Sequence, residues 1–444
     1  MLAKKAYFYY NRVVLNILRN RVYHALRQSE HFFETDMVYL IKGGSWLFFG
    51  HIISAASSFL LVIAFANLIP KETFGTYKYI LSLTGILLIP SLPGMNTAIN
   101  MASARNFDGT LLLALKTRMR WGLLSSLMSL LVSGYYFLNG NTILTISFLI
   151  ASVFLPFIDA FGIYGPFLYG KKKFQISTKY EAISQVLSTG VLVLVIYQTS
   201  NLFLIVLSYF LTWTLLRFTF FNITAKKFAL TKDEDLEAIT YGKHLSLIRI
   251  VNTIASYIDR LFVFHFLGAI SLAVYSFSIA IPEQIKGVFS LLDTLAFPKF
   301  VGRDPREIRS SFIKKALKLF LLGAVVIGAY ILVAPFIFKT FFPQYQEAVF
   351  YSQLFALSML NLALFPATTV LKAKKKIGEL YISNFITPVF QIIIMLVFIV
   401  WKGLLGLIIA RIISRFFGSL LDTYLFYRTP LDNNEESPLP APPK

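Results

Sequence analysis

The sequence predicts an all-α integral membrane protein: twelve transmembrane helices in two pseudo-symmetric six-helix lobes around a central cavity. Three observations carry this. The chain of 444 residues is 56% hydrophobic and 14% charged, with a mean hydropathy of +0.66, whereas soluble chains carry about 25% charged residues. Twelve apolar stretches of bilayer-spanning length follow one another. Features of the first half return in the second at an offset of 198 to 203 residues, the mark of an internal repeat.

Composition excludes several classes. There is no cysteine, hence no disulfide frame and no thiolate metal site. The five histidines are scattered without metal-ligand spacing, so no metal or other cofactor is expected. A net charge of +20 would point to nucleic acid in a soluble protein. Here the basic residues occupy short loops and report topology instead, so no nucleic-acid partner is expected.

Residues 1–42 form a basic arm with Lys4, Lys5, Arg12, Arg19, Arg21 and Arg27, while Val14, Leu15, Leu18, Val22, Ala25 and Leu26 make one apolar face. A helix lying on the inner membrane surface fits this pattern, and so does a solvated arm. The spans then fall at about 45–68, 79–101, 119–138, 142–163, 180–198, 201–221, 243–266, 270–293, 316–338, 348–371, 380–400 and 404–426. One set of connections is basic: Arg105 with Lys116, Arg118 and Arg120; Lys171–Lys173; Lys226 and Lys227; Arg303 to Lys315; Lys372 to Lys376. The alternate set, such as Asn139–Asn141 and Gln198–Asn201, is short and nearly uncharged. The positive-inside rule then places both termini in the cytoplasm. This divides the chain into the arm (1–42), an N-terminal lobe (43–221), a cytoplasmic linker (222–241), a C-terminal lobe (242–427) and a proline-rich, disordered tail (428–444). The acidic run Asp233–Asp235 in the linker reads as a solvated charge cluster.

The seventh span carries the most chemistry. Arg249, Asn252, Thr253, Ser256, Asp259 and Arg260 lie within an apolar stretch, with 249, 253, 256 and 260 on one helical face. Ionisable groups in a bilayer are costly and face a bundle interior or a wet cavity. A weaker stripe of His51, Ser54 and Ser58 runs down the first span at an offset of 198 residues. The last span carries Arg411, Arg415 and Asp422 on one face. Either the two arginines bind phosphate as planar forks, or Arg415 pairs with Asp422; its counterparts at an offset of 203 are Ser208 and Thr212. Pro90, Pro93 and Pro282 are candidate hinges, because proline frees a carbonyl and kinks a helix. Asp259, Asp422 and Asp159 are the candidate coupling acids, Asp159 standing at the end of a span. No phosphate-binding glycine loop, zinc pattern or nucleophile elbow is present, and the outer loops are too short to build an active site. A transporter, not an enzyme, is expected.

Three stretches carry a family resemblance. Ala66-Asn67-Leu68-Ile69-Pro70-Lys71-Glu72-Thr73-Phe74-Gly75-Thr76-Tyr77 looks like the turn between the first two spans of the polysaccharide flippases, the Wzx-type O-antigen and exopolysaccharide transporters of the multidrug/oligosaccharidyl-lipid/polysaccharide exporter superfamily. Phe167-Leu168-Tyr169-Gly170-Lys171-Lys172-Lys173-Phe174, and Tyr257-Ile258-Asp259-Arg260 with Phe266-Leu267-Gly268 and Tyr275, extend the resemblance over residues 41–427. It implies a V-shaped, MATE-like bundle in the bacterial inner membrane. The implied substrate is an undecaprenyl-pyrophosphate-linked oligosaccharide, flipped outward for O-antigen or other lipopolysaccharide assembly. Membrane lipids, and the polymerase and chain-length machinery, are the candidate partners, and a monomer is expected. On this reading Arg249, Asn252, Ser256, Arg260, Arg411, Arg415, His51 and Ser54 line the cavity and hold the pyrophosphate. The coupling ion, proton or sodium, is left open. A multidrug antiporter of the same superfamily is the alternative; its site should be acidic, whereas these stripes are basic.

Overall fold

The structure is a computed structural model. It describes residues 37–301, 305–374 and 376–429, with side chains at 49–50, 52–287, 307–374, 376 and 378–429. Most of the basic arm, nearly all of the tail and the side chains of His51 and Asp293 lie outside the described residues. Within them every regular element is helical. In chain order these are α1 (Met37–Leu68), α2 (Lys71–Leu87), α3 (Met95–Ala104), α4 (Thr110–Leu138), α5 (Thr142–Ile158), α6 (Tyr164–Gly170) and α7 (Phe174–Gln198). They continue with α8 (Leu202–Phe228), α9 (Leu236–Ile248), α10 (Ile250–Val301), α11 (Pro305–Phe341), α12 (Ala348–Ala356), α13 (Phe365–Ala373) and α14 (Ile377–Arg428).

Eight helical stretches are long and apolar enough to cross a membrane, or nine with the bent pair α2–α3. Two of the eight are doubled back. In α10 the Tyr275 hydroxyl lies 2.6 Å from Asp259 Oδ2, although sixteen residues of straight helix would part them by about 24 Å. The reversal is at Gly268, whose φ of 84° only glycine adopts readily. In α14 the rings of Phe390 and Phe417 stack at 4.1 Å, and the reversal is at Gly403, with φ 57°. Splitting both and adding α1 gives the twelve predicted spans. Large apolar side chains such as Leu131, Leu332, Phe336 and Trp401 point outward, as a lipid-facing surface requires.

Within the first lobe, spans 3 and 4 form a close hairpin. Gly122, Ser125, Ser129 and Ser133 are buried on one face of α4, and small residues let helices approach closely in lipid. Pro156 cannot donate to the Ser152 carbonyl; the Ser126 hydroxyl does so instead, at 2.7 Å. The same solution recurs in the second lobe, where Gln353 Nε2 donates at 2.9 Å to the Ile331 carbonyl freed by Pro335.

The lobes have the same irregularities in the same places. Span 4 is interrupted by a 3-10 turn at Phe161–Ile163, and span 10 by one at Leu357–Leu364, again about 200 residues apart. Between the lobes, span 2 packs antiparallel to span 7. Gly75 lies against the Ala269 backbone, Gly85 beneath the Tyr257 ring, and Gly242 against Met95 and Ala98. Tyr79 stacks on Phe264 at 3.8 Å. At the end of the bundle that holds the Gly268 and Gly403 turns, the lobes are latched. Lys71 Nζ meets Glu347 Oε1 at 2.6 Å, and Asn67 Nδ2 donates to the Phe341 carbonyl at 2.9 Å. Phe277 there sits between Phe74 and Tyr345, at 5.0 and 3.9 Å.

The linker departs from expectation. It is helical at both ends, since α8 runs to Phe228 and α9 begins at Leu236. The short stretch between is tied to the loop after α3. Asp108 accepts from the Leu230 and Thr231 amides at 3.0 and 3.3 Å and pairs with Lys171 at 2.5 Å. Asp235, expected in solvent, is buried. It caps α9 by accepting from Ala238 N at 2.8 Å, and it pairs with Arg105 at 2.7 Å.

Candidate functional site

The reversal at Gly268 brings span 8 back along span 7, and span 12 packs against both. This gathers charges that are far apart in sequence. The Tyr275 hydroxyl donates to Asp259, which is fully buried. Arg411 also bonds Asp259, lies 3.1 Å from the Tyr275 hydroxyl and 3.5 Å from Glu283 Oε1. Arg415 pairs with Glu283 and donates to Ser358 Oγ at 2.8 Å. Both guanidinium groups sit over the Phe355 ring, at 5.9 and 4.7 Å, a cation–π arrangement that favours arginine over lysine. Asp422 accepts from Ser383 and Thr368.

The first lobe holds a second cluster at the break in span 2. Pro90 and Pro93 lack N–H groups, a 3-10 turn spans Ile89–Ser91, Leu92 adopts φ 60°, and α2 and α3 diverge by 46°. Buried Arg118 fills the gap: Nε donates to the Ser91 carbonyl at 2.8 Å and Nη1 to Asn96 Oδ1 at 2.9 Å. Asp159 lies 3.7 Å from Arg118 and 2.9 Å from Arg217. Arg217 also donates to the Ile158 carbonyl at 2.8 Å. Arg118→Met is therefore expected to cost about 1–3 kcal/mol, since it strands the buried Ser91 carbonyl. A thermal melt of purified protein checks this, and Arg118→Lys should not recover the loss because an ammonium lacks the fork.

Three cavities adjoin span 7. One, of about 320 Å³, lies on the first-lobe side and includes Asp159, Tyr209, Trp213, Arg217, Thr253 and Tyr257. A second, of about 370 Å³, lies on the second-lobe side with Lys286, Asn384, Gln391, Arg411, Arg415 and Asp422. The third, of about 540 Å³, includes Arg249, Asn252, Thr253, Ser256, Tyr257 and Asn384, and so shares walls with both others. All three lie away from the latched end.

The family profile described as "Polysaccharide biosynthesis protein" matches residues 40–302, more than half of the chain. The chain belongs to this family. No curated protein matches it. The fold of this polysaccharide biosynthesis protein is shared with solved transporters at low identity. The lipid II flippase MurJ in an inward closed conformation superposes with a TM-score of 0.66, at 13% identity over 88% of each chain. An inward-facing multidrug resistance MATE family transporter of the MOP superfamily gives 0.59, at 11% identity over 84% of this chain and 94% of that one. The outward-facing conformation of such a transporter also gives 0.59, at 12% identity over 88% of this chain and 94% of that one.

In this family member the sequence-derived site residues fall into separate groups. Arg249, Asn252 and Ser256 line the third cavity. The helical stripe through them is broken at Arg249, where α9 ends. Arg260 leans over the Tyr257 ring at 5.9 Å. Ser54 is half-buried on α1, Ser58 faces Gln185 of span 5 at 3.4 Å, and the His51 side chain lies outside the described residues. Arg411 and Arg415 line the second cavity, where both are members of ion pairs. The pairing of Arg415 with Asp422 is corrected, because Glu283 from span 8 takes that arginine and hydroxyls satisfy Asp422. Asp159 is no isolated span-end acid, for it bridges two arginines. Pro282 lies within the second half of α10, where the helix continues. Among the described residues, no three His, Asp or Glu side chains come together as metal ligands do.

Sequence reasoning gave no site role to Arg217 or Glu283, and it read Arg118 as a charge of a cytoplasmic connection, whereas Arg118 is buried within α4. Arg217 was legible: it stands inside the apolar sixth span, 198 residues before Arg415. The two are structural counterparts, each reaching from the last span of its lobe to the break in the fourth, at Ile158 and Ser358 respectively.

Proposed function

We propose that this protein is a flippase, carrying an oligosaccharide on undecaprenyl pyrophosphate from the inner to the outer leaflet of a bacterial cytoplasmic membrane. Both termini are cytoplasmic in this reading, with the Lys71–Glu347 latch on the outer side. The observation that carries it, beside the family, is the charge of the large cavity along span 7. Arg249 is exposed there with no acid partnering it among the described residues. In the adjoining cavity Arg411, Arg415 and Lys286 stand against Glu283, Asp259 and Asp422, each of which is already engaged. A site that must attract a cationic drug needs an available acid; this one offers an available arginine to a pyrophosphate. The lipid tail can stay in the bilayer beside the cavity. The membrane potential, worth about 2.3 kcal/mol per charge per 100 mV, then drives an anionic headgroup outward.

The test is complementation of a strain that lacks its lipid-linked oligosaccharide flippase, beside a strain sensitised to cationic drugs. Restored surface polymer with unchanged drug tolerance is the expected result; the reverse would replace this reading with a drug antiporter. Arg249→Ala is expected to reduce surface polymer about tenfold at equal expression, the loss of one charge-assisted contact of roughly 1.5 kcal/mol. Arg249→Lys should retain most of it if the charge matters more than the planar fork.

A further inference from the structure

The first-lobe cavity differs in chemistry from the other two. The charged side chains of its lining, Asp159 and Arg217, form one ion pair at 2.9 Å, and Arg118, 3.7 Å from Asp159, is buried behind them and is not part of the wall. An anion entering it would meet the Asp159 carboxylate, so it is poorly suited to a pyrophosphate. What it does offer is aromatic. Tyr209, Trp213 and Tyr257 line it together with the Thr253 hydroxyl. Trp213 carries the Arg217 guanidinium at 5.1 Å from its ring, which holds the indole in place. Tyr257 is seated by Gly85 on the facing helix; a Cβ there would strike the ring. Neither the Tyr209 nor the Tyr257 hydroxyl has a hydrogen-bond partner within the protein among the described residues.

We infer that this cavity is the saccharide subsite of the transporter, with the pyrophosphate held one cavity away beside Arg249. The inference rests on the flippase reading above. A sugar ring has an apolar C–H face and an equatorial rim of hydroxyls. Flat aromatic side chains with a polar tip match both. The carboxylate–guanidinium pair supplies acceptors and donors for the rim without a net charge. A volume of about 320 Å³ is at the small end of ligand pockets, roughly 300–1,000 Å³, and takes the first sugars of a repeat unit. Thr253 and Tyr257 border both this cavity and the one at Arg249, so a single headgroup reaches both from one side of span 7.

The test uses full-length protein in nanodiscs and two probes: undecaprenyl pyrophosphate, and the lipid-linked oligosaccharide pool extracted from membranes of the polymer-producing host. Wild type is expected to bind the sugar-bearing pool about tenfold more tightly than the bare lipid, the sum of one stacking contact and one hydrogen bond. Trp213→Ala should erase that preference and leave affinity for the bare lipid unchanged, while Trp213→Tyr keeps a stacking face and restores the preference. Tyr209→Phe, which removes only a hydroxyl, should lower it two- to threefold, a fraction of one hydrogen bond. Equal binding of both probes by wild type, or parallel loss of both in Trp213→Ala with no recovery in Trp213→Tyr, would overturn the subsite and leave the flippase reading standing. Failure of wild type to bind either probe would overturn the flippase reading, and the subsite with it.

Discussion

Asp259→Leu is expected to remove most of the folded protein from the membrane, and the double variant Asp259→Leu with Arg411→Leu to bring a large part of it back. Asp259 is fully buried and neutralises Arg411 where spans 7, 8 and 12 meet. Removing one partner of a buried pair costs about 3–5 kcal/mol, because it leaves the other charge uncompensated. That is a large share of a typical stability of roughly 5–15 kcal/mol. Replacing both with apolar residues of similar size removes the penalty as well as the attraction, and is often near neutral. The Tyr275 hydroxyl loses both partners in the double variant, so recovery should fall short of wild type by about 1 kcal/mol. Folded yield and melting midpoint of a fluorescent fusion, followed by size-exclusion chromatography, measure this. An Asp259→Leu protein that melts with wild type would show that the pair does not hold these spans together. Export should stay impaired in the double variant, since Arg411 also lines the cavity; folding and transport are thereby separated.

The fold was legible because its determinants are local. Length and hydropathy locate spans, and short connections join them as antiparallel neighbours. Gly268 and Gly403 stand at the reversals, and the prolines at 90 and 93 stand in the break of span 2. The drifting repeat offset was real in outline, for both lobes interrupt the fourth span at equivalent places. What a single sequence could not give was the partner of each charge. Arg415 and Asp422 are seven residues apart on one helical face, and a helix wheel pairs them. In three dimensions Glu283, from a span that reaches the site only through the Gly268 turn, is nearer. Asp159 reads in the sequence as an acid at the end of a span because it closes α5; its role depends on Arg118 and Arg217 arriving from two other spans. Asp235 looked solvated because its neighbours are charged, yet it caps a helix beneath Arg105. In each case the composition of the segment was read correctly, and the distance across the bundle decided the function.

On the flippase reading proposed above, alternating access requires the latched end of the bundle to open, and a chain with no native cysteine allows a direct test. Lys71 and Glu347 face each other across the lobes at 2.6 Å, from the start of span 2 and the connection between spans 9 and 10. The Asn67 bond to the Phe341 carbonyl and the Phe74, Phe277 and Tyr345 rings close the space beneath them. Lys71→Cys with Glu347→Cys, joined by a short bis-methanethiosulfonate, which forms a reducible disulfide to each cysteine with loss of methanesulfinate and spans about the length of the lost side chains, should reduce export to background, and reduction of the linker should restore it. Each single cysteine variant, treated in the same way, should export near the wild-type level. The uncross-linked double variant should do so too, because an exposed ion pair contributes at most about 1 kcal/mol and Glu347 is half exposed. The rings beneath the pair hold the closed state by burial, so loss of the ion pair alone shifts the equilibrium toward opening only slightly. Export that continues undiminished with the linker in place would show that substrate leaves by a path that does not separate the lobes here, and the transport cycle would have to run through a different face of the bundle.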